Sequence, residues 1–307
     1  MLKLAKHLPL TKPLSIIIDP CNLCNLSCSF CPTSDKRLTA NRHKGTMPID
    51  LFCKIIDSIE NWFGEVDVIW LVKDGEPLLN PFIDDMIFLS KRVAKTVKLT
   101  TNGILLTEYN IRNIIDTGLD YIKVSVNDIK YDLVKENVRR LFELKDYGKP
   151  LLVVKMIEGM LDKDKFEKDF KYISDGLLID NLMGWSNSSL KDFTLGKSSI
   201  DGMSRHKRKE DRIVCPEPFK TLAVNIDGTV GPCCVDWRQD IVFGSSQESS
   251  IKEIWEGGKL KEFRLRHLRG QRNELLACRD CDYIKGVDPI SDLDDDRNRL
   301  EGIYDNR

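Results

Sequence analysis

Six short β-type runs alternate with amphipathic helical patterns between residues 14 and 183 of this 307-residue chain. The predicted strands are Leu14–Asp19, Val66–Val72, Val97–Asn102, Tyr121–Asn127, Leu151–Ile157 and Leu177–Leu182. The predicted helices are Ile49–Trp62, Phe82–Val93, Thr107–Thr117, Val134–Tyr147 and Phe166–Ile173. Strands that alternate with helices indicate repeated βα units around a parallel sheet. Because six units fall short of the eight of a closed barrel, we expect an α/β fold with an open, partial (β/α)6 TIM-like barrel whose functional residues follow the strands.

Three cysteines follow the first predicted strand within eight residues: Cys24, Cys28 and Cys31. Three thiolates can hold three irons of a [4Fe-4S] cube, which leaves the fourth iron open to an exogenous ligand. Zinc is the alternative, since Cys21 and Cys24 form one Cys-x2-Cys pair and Cys28 and Cys31 form another. The two pairs stand much closer together than the roughly 15–20 residues usual for zinc sites of this type. The spacing therefore favours the iron–sulfur cluster.

This Cys-x3-Cys-x2-Cys cluster resembles the signature of the radical S-adenosylmethionine (SAM) enzymes. The resemblance implies that the open iron binds the amino and carboxylate groups of SAM. It also implies that the reduced cluster cleaves SAM to a 5′-deoxyadenosyl radical, which abstracts hydrogen from a substrate. The core of such enzymes is an open six-stranded partial barrel, in agreement with the strands predicted here.

The ends of the next strands carry candidate SAM contacts. Gly75-Glu76-Pro77 matches the family's Gly-Gly-Glu-Pro motif except that Asp74 replaces its first glycine. By resemblance, this motif lies along the methionine part of SAM, and the end of the third strand faces the ribose or the carboxylate. Ser125 and Asn127 share a face with Lys123 by the period of two, and they predict a polar cavity. The expected SAM-binding residues are Phe30, Gly75, Glu76, Thr101, Asn102 and Ser125.

Two further features allow either of two interpretations. Lys155 lies within a strand and either contacts a ligand or extends its ammonium group to solvent. The segment from Gly184 to Ser189 follows the sixth predicted strand. It is either part of a substrate pocket or a polar loop with a packed Trp185.

A second set of cysteines occupies the C-terminal part. Asp227-Gly228 between β-type runs predicts a hairpin that returns Cys233 to Cys215. Cys278 and Cys281 then supply two more ligands, which completes a closed site. A zinc site with four cysteine ligands would satisfy the same geometry. Cys234 could also take the place of Cys233 as a ligand.

This second pattern resembles the shortened auxiliary-cluster domain called twitch, a relative of the SPASM domain. The resemblance implies one auxiliary [4Fe-4S] cluster held by Cys215, Cys233, Cys278 and Cys281. A fully ligated cluster is suited to electron transfer. The pattern is most similar to the twitch dehydrogenases of aminoglycoside pathways, which implies an oxidoreductase that oxidises an alcohol of a sugar or cyclitol-like molecule. The alternatives are a maturase that modifies ribosomal peptides and, more remotely, a zinc scaffold without enzymatic activity.

Composition sets the remaining expectations. The chain has 47 basic and 48 acidic residues, a net charge of −1 and no signal-peptide pattern, so we expect a cytoplasmic protein without nucleic-acid or membrane partners. A flavodoxin- or ferredoxin-type protein is the expected electron donor. The expected organisation is a radical SAM barrel over 1–195, a linker over 196–212, an auxiliary-cluster domain over 213–290 and an acidic, poorly ordered tail over 291–307.

Overall fold

The computed structural model describes residues 3–35, 37, 40, 42–146, 148–182, 209–279 and 281–306. Contacts divide the chain into two units. The first, here called the barrel unit, consists of residues 18–25 and 44–180. The second, here called the cysteine-rich unit, consists of residues 1–17, 26–43 and 181–307. Within the described ranges, no helix is both long and apolar enough to cross a bilayer.

The barrel unit contains a row of parallel strands. They are β2 (Val66–Leu71), β3 (Ala94–Thr101), β4 (Tyr121–Ser125), β5 (Leu151–Ile157) and β6 (Gly176–Asp180), each hydrogen-bonded to the next. The Val72 N–H, directly after β2, donates at 3.1 Å to the carbonyl of Ile18, the last residue of β1 (Ser15–Ile18). This arrangement confirms the predicted six-stranded βα sheet, with strand ends shifted by a few residues.

A helix follows each of the strands β1 to β5. These helices are α1 (Ile49–Phe63), α2 (Ile83–Ser90), α3 (Glu108–Asp116), α4 (Tyr131–Leu144) and α5 (Lys163–Phe170). Helix α1 shows why they form here, because its apolar residues recur at helical spacing and Phe52, Ile55, Ile56 and Ile59 are fully buried. It ends at Gly64, whose φ of 74° favours glycine.

The strands present one apolar face and one mixed face. In β4, buried Ile122 and Val124 alternate with half-buried Tyr121, Lys123 and Ser125. The same alternation in β3 and β5 buries one row of side chains in the core, while the other row is polar at Lys98 and Thr100 in β3 and carries Lys155 among apolar residues in β5. The predicted polar face of the fourth strand is therefore present.

The cysteine-rich unit contains a hairpin and a group of helices. Its elements are α6 (Glu217–Lys220), β7 (Thr221–Val224), β8 (Thr229–Gly231), β9 (Gly244–Ser245), α7 (Ile251–Glu256), α8 (Gly258–Leu268) and α9 (Arg297–Asp305). Strands β7, β8 and β9 pair in antiparallel order, and β1 borders β7. Gly228 forms the turn with φ of 83°, so the predicted Asp-Gly hairpin is confirmed.

The prediction of a poorly ordered C-terminal tail is wrong. Residues 297–305 form α9, and Leu293, Leu300 and Tyr304 are buried in a cluster with Leu8 and Phe219. Leu300 and Tyr304 stand one helical turn apart, so a single apolar stripe is enough to fix the helix to the core. The many acidic residues around this stripe concealed it in the sequence.

The predicted division into domains stays a prediction. Most of the expected linker, 196–212, falls outside the residues that the structure describes. The expected pocket segment from Gly184 to Ser189, with Trp185, also lies outside them.

Candidate functional site

Cys24 lies at the start of the first cysteine segment, in the barrel unit, and its side chain is exposed. Asn102, directly after β3, orients this part of the loop. Its amide nitrogen donates to the Asn25 side-chain oxygen at 2.7 Å and lies 3.8 Å from the Cys24 sulfur. The end of β3 is thus connected to the first predicted cluster ligand.

Cys28 and Cys31 lie farther along the same segment, in the cysteine-rich unit, and both are partly exposed. The Cys31 N–H donates to the Cys28 carbonyl at 3.1 Å, which holds the two residues in a tight turn. The Cys31 sulfur lies 3.0 Å from the Thr33 hydroxyl. Phe30, between the two cysteines, is half-buried.

Cys21 plays a different part from the three cysteines that follow it. Its side chain is buried, and its thiol donates to the Leu23 carbonyl at 3.5 Å. Burial raises the pKa of Cys21 to about 11, so its thiol keeps its proton at neutral pH. Its backbone forms a bridge with Thr46. These contacts make Cys21 part of the scaffold of the loop, as expected for a cysteine outside the signature.

Gly75 makes the closest backbone approach in this region. A Cβ atom built at Gly75 would lie 2.3 Å from the carbonyl oxygens of both Cys21 and Leu23. Any other residue would therefore push the cysteine segment away. The next N–H, that of Glu76, donates to the Leu23 carbonyl at 2.8 Å. Gly75 matters here because it lets two backbone segments touch.

The Glu76 carboxylate is buried and joins the motif to the end of β3. It accepts hydrogen bonds from the Thr101 hydroxyl at 2.7 Å, from the Asn102 N–H at 2.7 Å and from the Leu78 N–H at 3.1 Å. Burial raises the pKa of Glu76, although these hydrogen bonds oppose the shift. Glu76 therefore positions Thr101 and Asn102, and its predicted contact with SAM stays a prediction.

Asp74 departs from the family motif, and the structure shows how its charge is balanced. The Lys73 ammonium lies 2.9 Å from the Asp74 carboxylate, and both side chains are almost fully buried. An isolated buried carboxylate would be costly, whereas a paired one is tolerated. The replacement of the first glycine therefore comes with its own counter-ion from the neighbouring residue.

The mixed face of the sheet is rich in lysine. Lys98 lies 4.9 Å from the Trp70 ring centre and 5.1 Å from that of Tyr121, and burial lowers its pKa. Lys155 pairs with Asp180 at 3.2 Å, across the ends of β5 and β6. Ser125 is half-buried at the end of β4, in register with Lys155. Lys155 is thus held by an ion pair.

The second set of cysteines is gathered around one pocket of the cysteine-rich unit. Cys215, Cys233, Cys278 and Cys281 all line it, together with the side chains of Asp236, His267 and Arg272. Cys215 precedes α6 and Cys233 follows β8, so the hairpin returns the second cysteine to the first as expected. Cys234 is not part of the lining, which favours Cys233 as the fourth ligand.

Desolvation dominates the electrostatics of this pocket. Burial raises the pKa of Cys281 to about 11 and that of Cys278 to about 12, and it raises the pKa values of Cys215 and Cys233 well above the usual range. Such thiols lose their protons only when a cation takes their place. The pocket also contains Arg272, which donates to the Cys278 carbonyl. Its guanidinium offers positive charge beside the sulfurs.

The lining of this pocket fits a fully ligated iron–sulfur cluster. Within the described ranges, no three His, Cys, Asp or Glu side chains converge closely enough to hold a single metal ion. In a cubane cluster each cysteine binds a different iron, so its sulfurs surround the cluster and do not converge on one point. Four cysteines around one pocket meet that requirement.

The fold and the two cysteine sets define a class of protein, and two family models agree with it. Residues 18–151 match the radical SAM superfamily. Residues 215–282 match SPASM, an iron–sulfur cluster-binding domain. The chain therefore belongs to the radical SAM superfamily, with a SPASM-type domain after the barrel, and is a radical SAM enzyme that uses SAM and iron–sulfur clusters. These matches remove the zinc interpretations.

Two curated relatives align with most of this chain. The first is a tungsten-containing aldehyde ferredoxin oxidoreductase cofactor-modifying protein from Pyrococcus furiosus, 23% identical over 86% of this chain and 88% of the relative. The second is an S-adenosyl-L-methionine-dependent 2-deoxy-scyllo-inosamine dehydrogenase from Niallia circulans, 21% identical over 85% of this chain and 89% of the relative. The dehydrogenase supports the prediction of an oxidoreductase.

Solved structures show the same fold. BtrN in complex with AdoMet and 2-DOIA has a TM-score of 0.58 at 20% identity and covers 87% of this chain and 92% of its own. Streptococcus suis SuiB bound to precursor peptide SuiA has a TM-score of 0.63 at 14% identity and covers 84% of this chain and 67% of its own. At these identities the likeness is one of fold.

Several residues of the site had escaped the sequence analysis. Asn25 and Lys73 belong to the site because of the residues they contact, Asn102 and Asp74, and these contacts are visible only in the fold. Lys73 is adjacent in sequence to Asp74, the residue that differs from the family motif. His267 and Arg272 lie on and after α8, where a helical pattern gives no sign of which side chains reach a pocket. The cysteine spacing predicted the ligand sets, but it carried no information about the side chains around them.

Proposed function

We propose that this protein oxidises a secondary alcohol of a sugar or cyclitol-like small molecule to a ketone. The observation that carries the proposal is the pocket lined by Cys215, Cys233, Cys278 and Cys281. Four cysteines around one buried pocket leave no iron open to a substrate, so the chemistry left to this site is electron transfer. A two-electron oxidation of an alcohol begun by a radical needs such an acceptor for its second electron.

Two residue groups are proposed to hold the cofactors. Cys24, Cys28 and Cys31 ligate the first cluster, and the other four cysteines ligate the auxiliary cluster. Bound there, the two clusters and SAM would supply the radical that removes hydrogen from the carbinol carbon and the acceptor for the electron released as the hydroxyl group loses its proton and the ketone forms. We propose SAM contacts from Phe30, Gly75, Glu76, Thr101, Asn102 and Ser125.

We further propose that a flavodoxin- or ferredoxin-type protein supplies the first electron, and that the enzyme works in the reducing cytoplasm. Ten cysteines without a disulfide among the described residues agree with such a compartment. Modification of a peptide is the second candidate, because the SuiB structure that shares the fold is bound to a precursor peptide.

The test is turnover by the reconstituted full chain under anaerobic conditions, with SAM and a chemical reductant. The panel contains cyclitols and sugars with and without amino groups, deuterated at the carbinol carbon. The expected result is a ketone together with an equal amount of 5′-deoxyadenosine that carries the deuterium. The control combines Cys24→Ala, Cys28→Ala and Cys31→Ala and should form neither product. The proposal would be overturned if 5′-deoxyadenosine formed without deuterium from every alcohol and the enzyme modified a peptide. The substrate would then be a peptide.

A further inference from the structure

His267 lies on α8 and is fully buried, with 0% of its surface exposed. Neither of its ring nitrogens has a hydrogen-bond partner among the described residues. The side chain lines the same pocket as Cys215, Cys233, Cys278 and Cys281. A polar side chain without partners thus faces the site that the four cysteines define.

The surroundings of His267 do not explain this arrangement. The Phe263 ring lies 4.8 Å from the imidazole, centre to centre, and Leu268, the next residue along the helix, is buried in an apolar cluster. An imidazole N–H that is buried without an acceptor is unfavourable, and native proteins seldom keep one. The pocket itself is the side of His267 on which an acceptor can bind.

We propose that His267 donates its ring N–H to a sulfur atom of the auxiliary cluster and thereby raises the reduction potential of that cluster. The acceptor is either an inorganic sulfide or a cysteine thiolate. The inference rests on the cluster ligands proposed above and is independent of the substrate. In this role His267 is a positioning residue that acts through the cluster, because it does not contact the substrate.

The direction of the effect follows from charge. Reduction adds one negative charge to the cluster, and a hydrogen-bond donor stabilises a sulfur more strongly as that sulfur becomes more negative. Arg272 lines the same pocket and adds a positive charge beside Cys278. Both groups favour the reduced cluster, as an electron acceptor requires.

The experiment isolates the auxiliary cluster in the full chain, where Cys24→Ala, Cys28→Ala and Cys31→Ala remove the other one. The midpoint potential is measured by a dye-mediated titration followed by electron paramagnetic resonance. His267→Phe preserves a flat ring without the donor and should make reduction about tenfold less favourable, or ~59 mV more negative for a one-electron couple. His267→Gln keeps an N–H donor and should show a smaller shift.

Two controls separate the hydrogen bond from packing. Phe263→Leu disturbs the ring that contacts His267 but leaves the imidazole in place, so the potential should stay near that of the parent. Iron analysis should give about four irons per chain in the parent and in each variant, in keeping with one cubane cluster. A failure of the parent to hold them would refute the ligand assignment, whereas equal potentials in the parent and His267→Phe would refute the role of His267.

A spectroscopic readout covers the case in which His267→Phe fails to fold. Electron–nuclear double resonance of the parent should reveal a solvent-exchangeable proton coupled to the reduced cluster. Labelling the four histidines of the chain with ¹⁵N should reveal a weak nitrogen coupling, as expected for a hydrogen bond. A strong coupling, typical of an iron–nitrogen bond, would overturn the proposal by making His267 a ligand. The absence of any coupled nitrogen would also overturn it.

Discussion

The two cysteine sets of this protein differ in the number of predicted ligands and in how strongly the surrounding protein desolvates their thiols. Cys24 is exposed, and Cys28 and Cys31 are partly exposed, in a segment of turns that ends at a short 3-10 helix, Pro32–Ser34. Of the C-terminal cysteines, Cys281 is buried and the other three are partly exposed, yet all four line one pocket in which desolvation raises the pKa values of the thiols to about 11 or higher. An accessible set with three ligands suits a cluster that must bind SAM, and an enclosed set with four suits a cluster that only exchanges electrons.

The difference also lies in how each set is supported. Around Cys24 the support is a chain of hydrogen bonds that begins at the buried Glu76 and passes through Asn102 to Asn25. Around the C-terminal cysteines it comes from the packing of α8 and the hairpin, with Arg272 and His267 on the lining. The first set is therefore supported by hydrogen bonds between polar groups, and the second by packing.

Among the changes that test this comparison, loss of one C-terminal cysteine should have the largest effect on iron content and ketone formation. Cys233→Ala should lower the iron content from about eight to about four per chain, because the auxiliary site, unlike the first one, has no SAM to take the place of a fourth cysteine ligand. It should also reduce ketone formation to background while cleavage of SAM continues. Iron analysis and chromatography of 5′-deoxyadenosine measure the two effects.

Cys234→Ala is the matched control for that change. Cys234 is adjacent in the chain but absent from the pocket lining, so its variant should keep about eight irons and form the ketone. If Cys234→Ala lost four irons and Cys233→Ala kept all eight, Cys234 and not Cys233 would be the fourth ligand. Equal losses in both variants would mean that packing of the segment, and not ligation, controls the cluster.

Removal of the hydrogen bonds that support Cys24 should have a smaller effect, on the affinity for SAM. Asn102→Ala deletes the hydrogen bond to Asn25 and the contact with Cys24, and supporting residues of this kind change affinity by roughly tenfold or more. We expect SAM to bind about tenfold more weakly, with iron content retained. Titration calorimetry of the reconstituted protein measures the dissociation constant.

Asn113→Ala provides the comparison for Asn102→Ala. Asn113 also makes one side-chain amide hydrogen bond within the barrel unit, to Asp84 at 3.0 Å, but it lies on α3. Its variant should bind SAM like the parent. The same weakening in both variants would show that general loosening of the barrel, and not the Asn102 contact, is responsible.

The sequence predicted the framework of the fold because the framework depends on periodicity. Short β-type runs between helical patterns located β4 and β5, and cysteine spacing predicted both ligand sets. Helix α9 was missed because its apolar stripe is short and lies among acidic residues. The link from Glu76 through Asn102 to Asn25 was missed for a different reason: it joins three separate segments, and their approach depends on the close contact at Gly75.

The smallest expected effect is on the pH dependence of the free energy of unfolding, which Glu76 influences. Glu76 begins the chain of hydrogen bonds that supports Cys24. Burial raises the pKa of Glu76 in the folded protein above its value in the unfolded chain, so the folded state favours the protonated form. The stability that follows is fully present below the unfolded pKa and is lost as pH rises through the folded pKa. A difference of one pH unit between the folded and unfolded pKa values corresponds to about 1.4 kcal/mol in the free energy of unfolding.

Glu76→Gln removes this titration, so its unfolding free energy should lack the decrease that the parent shows as pH rises from about 4.5. Denaturant unfolding of parent and variant at a series of pH values measures the difference in slope. Glu108→Gln is the control, because Glu108 is exposed beside Arg112, which lowers its pKa. That variant should keep the decrease. If Glu76→Gln kept it as well, the charge of Glu76 would be stabilised in the folded protein, and the support of Cys24 would rest on a permanently ionised carboxylate.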